Sequence, residues 1–317
     1  MPRTIGNVKH PKTHRRRFAG GLIRVASALL ISVVALTATG CATPRDPTVA
    51  PTLTAPTGSG VSIERDIVYR EVDGTSLALD ACLPRADAPT AAIVLLHGGG
   101  FTQGSRADES IQSLCTWFAE KGYAAFPVSY RLAPGSLYPS QTEDIAAAVQ
   151  WLRDPAQAAQ FNIDPTRIGA LGSSAGAIIA LQLAMAGEGP TDAGGRIGAA
   201  VSLSGVADMT PGAARLGSPT PEAASLILNY LGCTSIATCD GADASPITHV
   251  DASDPATLLV GSVHDLVPIE QAQSMASALD AVGVPNQVVV VDGAGHGAQL
   301  MNQDVRDSVL AFLSDHL

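Results

Sequence analysis

The sequence predicts an α/β domain with a mostly parallel central sheet flanked by helices, and two observations carry that prediction. Short apolar runs without polar interruption recur along the chain, and longer helical patterns fall between them. A run that is apolar at every position suits a strand covered on both faces, as parallel sheets require because their crossovers lay helices on each side. Alternation of the two is the signature of a doubly wound sheet.

From the N-terminus, residues 1–40 carry seven Lys or Arg and no acidic residue, and Arg15, Arg16, Arg17 and Arg24 precede an apolar stretch over 25–39. That stretch is interrupted by Ser and Thr and is short for a membrane span, so it reads as an export signal. Its end, Ala38-Thr39-Gly40-Cys41, resembles a lipobox, in which cleavage leaves a cysteine to be acylated. Ordinary cleavage after Gly40 also fits the small residues here. The run H-R-R-R-F at 14–18 resembles a twin-arginine signal with His14 at its leading position. Either route places the protein in the cell envelope, attached to the membrane through a lipidated Cys41, or outside the cell.

Residues 41–317 hold all 29 acidic residues against twelve basic ones, a net of −17. A surface that acidic repels phosphate backbones, which excludes nucleic acid as an expected partner. Residues 41–60 are rich in Pro and Thr and nearly free of large apolar side chains, which suits a tether. The folded domain is then expected over 61–317. Residues 64–70 and 77–83 read as antiparallel edge strands joined through Asp73-Gly74. Next come the apolar runs 93–96, 124–128, 168–171, 199–203, 257–260 and 288–291, with helices expected over 108–121, 143–153, 175–186 and 269–282. Residues 209–255 break the alternation. They are rich in Ala, Gly and Pro with one good helical pattern at 221–231, and are expected to form a small cap inserted after a strand.

Export changes the reading of the cysteines, because disulfides persist in oxidising compartments. Cys233 and Cys239 flank a five-residue loop and are expected to pair. Cys82 and Cys115 admit a second bridge, but Cys115 shares helical spacing with Ile111, Leu114 and Phe118 and reads equally as core.

The chemistry starts from G-x-S-x-G centred on Ser174, at the junction of an apolar β-run and an apolar helical run. A sharp strand-to-helix turn of this kind strains the backbone at the serine and presents its hydroxyl above the sheet, with Gly172 and Gly176 allowing close approach. H-G-G-G-F at 97–101 follows the 93–96 run, where backbone N–H groups can face a developing oxyanion. Gly99, Gly100 and Ala175 are the expected donors. His97 is expected to brace that loop. Of the seven histidines, His296 follows the 288–291 run in D-G-A-G-H-G and is the expected general base. Asp265, after the 257–260 run, is the expected acid. Asp292 lies only four residues from His296, too near to reach the far ring nitrogen comfortably. There is no clustered Cys/His spacing for a metal, and no cofactor is expected.

These motifs, with V-S-Y-R-L-A-P at 128–134 and E-D-I-A-A-A-V-Q-W-L at 143–152, resemble bacterial carboxylesterases of the α/β-hydrolase superfamily over residues 62–317. The nearest groups are the hormone-sensitive-lipase-like and feruloyl-esterase-like ones. The former usually carry Asp before the nucleophile, where this chain has Ser173, and the H-D-x-V-P segment is closer to the latter. The resemblance implies a serine esterase acting on a small-molecule ester, with simple short-chain esters, acetylated or feruloylated carbohydrate, or peptides as open substrate choices. A non-catalytic envelope lipoprotein is the alternative outside enzymes.

Overall fold

The computed structural model describes residues 60–213 and 216–317. The predicted export signal, Cys41 and nearly all of the tether lie outside the described residues.

The chain forms an eight-stranded sheet: β1 (Ser62–Val72), β2 (Thr75–Leu83), β3 (Thr90–Leu96), β4 (Ala124–Val128), β5 (Ile163–Ser173), β6 (Ala199–Leu203), β7 (Ala256–Ser262) and β8 (Asn286–Val291). Their order is β1-β2-β4-β3-β5-β6-β7-β8, antiparallel from β1 to β4 and parallel thereafter. This is the α/β-hydrolase fold that the resemblance implies. Among the described residues, seven α-helices complete it: α1 (Glu109–Glu120), α2 (Ser140–Leu152), α3 (Pro155–Phe161), α4 (Ala175–Ala184), α5 (Pro221–Leu231), α6 (Ile269–Val282) and α7 (Gln303–His316).

Side-chain alternation along the strands divides the core in two. In β3, Ile93 and Leu95 pack with Ile111, Leu114 and Phe118 of α1 and Val305, Val309 and Phe312 of α7. Val94 and Leu96 face the other layer, with Ile145 and Val149 of α2, Ile178 and Ile179 of α4, and Met275 and Leu279 of α6. Lying at the centre of its layer, α4 is buried at every residue, which is why its sequence shows no polar face.

Five of the six apolar runs are buried throughout, but the run 288–291 is not. β8 ends the sheet and pairs with β7 alone, and Val290 is 51% exposed. The expectation of a strand covered on both faces is therefore corrected for 288–291: its β-branched residues favour the strand, but among the described residues no strand pairs with its outer edge.

Cys115 is both core and bridge. Its side chain is fully buried on α1, and it is bonded to Cys82 of β2 with a Cα–Cα distance of 5.6 Å. Cys233 and Cys239 are also bonded, just beyond α5. The segment 209–255 lies between β6 and β7, and α5 begins with Pro at its first turn behind Thr220, whose hydroxyl accepts from the Ala223 N–H. Such an N-cap satisfies one of the helix's orphan donors. No helix among the described residues is long and apolar enough to cross a membrane.

The parallel register sets the stage for the site. Leu96 pairs with Gly172, Ser173 with Leu203, and Leu203 with Val260, so β3, β5, β6 and β7 end at one level. His97, Ser174, Ser204 and the loop holding Asp265 all leave the sheet there, at the carboxyl edge where open α/β sheets bind ligands.

Candidate active site

Ser174 sits between β5 and α4 with φ 55° and ψ −117°, a conformation that costs a non-glycine residue free energy and persists because its surroundings hold it. Its N–H donates to the Leu203 carbonyl at 2.8 Å. The glycines beside it are required by distance. A Cβ on Gly172 would lie 2.1 Å from the Gly176 oxygen, and one on Gly176 would lie 2.3 Å from the Leu96 oxygen. The two turns thus interlock, leaving the Ser174 side chain projecting from the sheet edge.

His296 Nε2 lies 2.8 Å from Ser174 Oγ, and His296 Nδ1 lies 2.5 Å from Asp265 Oδ1. The Asp265 side chain is fully shielded from solvent. Burial alone pushes its carboxyl up, but hydrogen bonds from His296, Ser204 and the Val267 N–H outweigh this and hold it below the usual carboxylate range. An ionised carboxylate can only accept, so Nδ1 carries the imidazole proton. Nε2 is then left as an acceptor for the Ser174 hydroxyl. Asp292, His264 and His316 make no hydrogen bond to these three side chains among the described residues.

A cavity of about 220 Å3 opens in front of Ser174. Gly100 and Ala175 line it, and their N–H groups have no protein acceptor among the described residues. The Gly99 N–H has none either, but Gly99 does not line the cavity. With φ 110° it makes the turn before Gly100, and its carbonyl accepts from Thr102 and Gln103. His97 is buried outside the cavity, stacked on Tyr130 with ring centroids 4.2 Å apart, and the Tyr130 hydroxyl donates to the His97 carbonyl at 2.7 Å. Burial lowers its pKa. It braces the loop.

Apolar side chains of 209–255, including Met209, Leu226 and Ile227, wall the cavity. Leu226 packs so closely on the glycine loop that a Cβ on Gly100 would come within 2.5 Å of it. Tyr230 stacks on Phe101 with centroids 3.7 Å apart and donates to Gln182 Oε1 at 2.9 Å.

With this geometry in place, the family model BD-FAE matches residues 79–279, well over half of the chain. The chain belongs to the BD-FAE family. The BD-FAE match takes in Ser174 and Asp265 and ends before His296. LipC of Mycobacterium tuberculosis, named an esterase, is 30% identical over 304 residues, covering 87% of this chain and 72% of LipC. Bovine (Bos taurus) arylacetamide deacetylase is 40% identical over 90 residues, which is 28% of this chain and only 23% of the deacetylase. The chain therefore spans less than a quarter of that relative's length. A solved esterase of Thermogutta terrifontis, Est2, superposes with a TM-score of 0.62 at 25% identity, covering 83% of this chain and 92% of that one.

Two further serines of this BD-FAE chain support the site, Ser204, which no motif singles out, and Ser173, which the sequence marks only as a departure from a family pattern. Ser204, just past β6 with φ 61°, donates from Oγ to Asp265 Oδ2 at 2.5 Å and accepts the Gly297 N–H at 2.8 Å. Ser173 Oγ accepts the Ala298 N–H at 2.9 Å. The residue that departs from the hormone-sensitive-lipase-like pattern thus holds the loop that bears His296. Their position at the carboxyl ends of buried strands was the available signal.

Proposed function

We propose that this BD-FAE chain is a serine carboxylesterase that cleaves short-chain acyl esters, with Ser174 as nucleophile, His296 as general base and Asp265 as orienting acid. The observation that carries the reading is the continuous relay from Ser174 Oγ through His296 to Asp265, opening on an apolar cavity. The esterase names of LipC and Est2 support it. Est2 is also described with propionate and with butyrate bound, and phosphonylated by sarin, which supports a short acyl pocket beside a reactive centre.

In this mechanism His296 Nε2 takes the Ser174 proton as Oγ attacks the ester carbonyl, and Asp265 stabilises the imidazolium that forms. The carbonyl oxygen becomes an oxyanion facing the N–H groups of Gly100 and Ala175, which line the cavity; loss of one such donor typically costs about 10²–10³ in kcat. His296 returns the proton to the departing alcohol, leaving an acyl-enzyme. A water, deprotonated by His296, then releases the carboxylic acid. The apolar cavity selects the acyl group, so acetylated carbohydrate fits the same machinery as a simple short-chain ester. We also place the protein in the cell envelope or outside the cell, a reading supported by the two disulfides and the N-terminal signal pattern.

The test is Ser174→Ala. The variant should fold normally, lose ester turnover by several orders of magnitude and resist a fluorophosphonate probe that labels the wild type. Equal labelling of both proteins would overturn the assignment.

A further inference from the structure

Ser204 stands one step behind the relay, and its bonds run in both directions. Its hydroxyl proton goes to Asp265 Oδ2, and its oxygen accepts the N–H of Gly297, the residue after His296. It is 3% exposed, and its own N–H is held by the Val260 carbonyl at 2.8 Å. One side chain therefore ties the loop of the acid to the loop of the base. It does so from a left-handed conformation that glycine would adopt more easily, φ 61°. A serine kept there under strain, with donor and acceptor both engaged, needs an explanation beyond space filling.

We propose that Ser204 is a positioning residue that sets the basicity of His296 through Asp265; this rests on the esterase reading above. Donation to Oδ2 draws charge from the carboxylate and stabilises its ionised form. Less charge remains on Oδ1 to stabilise the imidazolium, so Ser204 tempers the pull of Asp265 on the Nδ1 proton of His296. The neighbouring Ser173 supplies a built-in contrast. It accepts the Ala298 N–H and holds the same loop, but it has no bond to Asp265. Around the pair, Asp208 lines the cavity, His264 precedes Asp265 and Asp292 precedes His296 by four residues. None of these side chains hydrogen-bonds to Asp265 or to the His296 ring among the described residues.

The experiment compares Ser204→Ala, Ser204→Gly and Ser173→Ala with wild type, measuring kcat, KM and the acidic limb of kcat/KM on a short-chain ester. The glycine variant relieves the backbone strain while removing the hydroxyl, so it remains informative if the alanine variant folds poorly. Both Ser204 variants are expected to lose about tenfold or more in kcat with KM within about twofold, and their acidic limb moves to higher pH. Ser173→Ala lowers kcat without moving the limb to higher pH. A purely structural role predicts the opposite sign, because a loosened His296–Asp265 contact leaves the imidazolium less stabilised. A limb that stays or moves to lower pH in both Ser204 variants overturns the proposal, as does an equal upward shift in Ser173→Ala. Titration of His296 by NMR in the Ser174→Ala background reads the same shift without turnover. A wild type inert toward esters would thus remove the esterase reading while this titration still decides the role of Ser204.

Discussion

Asp265→Asn keeps the shape of the side chain while exchanging one acceptor oxygen for an NH2 donor. Three donors converge on the carboxylate, His296 Nδ1 and the Val267 N–H on Oδ1 and Ser204 Oγ on Oδ2. An amide satisfies them in neither orientation. With its nitrogen at the Oδ1 position it faces His296 Nδ1 and can bond only to the tautomer protonated on Nε2, which cannot take the Ser174 proton. With its nitrogen at the Oδ2 position it meets a serine oxygen already accepting from Gly297, and the imidazolium loses its counter-charge. The same exchange in another Ser-His-Asp triad costs about 10⁴ in kcat, equivalent to about 5.5 kcal/mol at 1.36 kcal/mol per decade. We expect a loss of about 10³–10⁴ in kcat here, with KM little changed because the carboxylate lies outside the cavity lining. Stability follows its own sign. The Asp265 pKa is held down in the folded state, so its contribution is present above the unfolded pKa and disappears as pH falls through the folded value. The variant lacks that component of acid sensitivity. Steady-state hydrolysis of p-nitrophenyl butyrate, with thermal melts to verify folding, is the assay. A kcat loss under tenfold, or a larger loss for Asp292→Asn, would refute the assignment.

Acyl-chain length gives a second check. Each methylene that enters the cavity adds about 0.8 kcal/mol, close to fourfold in kcat/KM, so butyryl esters should exceed acetyl esters by at most about fifteenfold. Beyond four to six carbons the profile should fall, since the cavity holds only about 220 Å3; a maximum at twelve carbons or more in a p-nitrophenyl ester series contradicts this. Export is checked by peptide mapping without reduction of protein taken from the cell envelope or medium, which should recover Cys82 linked to Cys115 and Cys233 linked to Cys239, with an acyl group on Cys41 if the lipobox is used. Four free thiols would exclude passage through an oxidising compartment.

What the sequence revealed depended on whether the signal was local. The runs 124–128 and 199–203 match β4 and β6 to the residue, because strands buried on both faces leave no polar position to blur the pattern. The seven-residue α3 gave no such pattern, since only Ala158 and Phe161 of its side chains are buried. Ser174 and His296 are 122 residues apart, yet each was legible from its own strand-end motif. Ser204 was not. Its partners lie 61 and 93 residues further on, and a serine after an apolar strand carries no mark of the carboxylate and the loop it will join. The helical pattern at 221–231 matches α5 to the residue, but the hold of α5 on the glycine loop depends on side chains meeting across more than a hundred residues.

That hold bears on how the site selects substrates. The helix α5 touches the glycine loop twice, through Leu226 over Gly100 and through Tyr230 stacked on Phe101, and its C-terminal end runs into the Cys233–Cys239 bridge. Lifting α5 would expose Tyr230, which is fully buried, and would break its bond to Gln182. Burying a side chain of this size contributes about 1.5–3 kcal/mol, and its stacking and its hydrogen bond about 1 kcal/mol each. A loss of about 4 kcal/mol leaves roughly one molecule in a thousand with the cap raised. A long acyl chain must therefore carry that cost or leave its tail in water, where further methylenes gain nothing. The same displacement would also strip Leu226 from Gly100, a proposed oxyanion donor, so opening the pocket for a longer chain disturbs the group that stabilises the transition state. Under the proposed function, acyl-chain selection and catalysis are thus coupled through one helix.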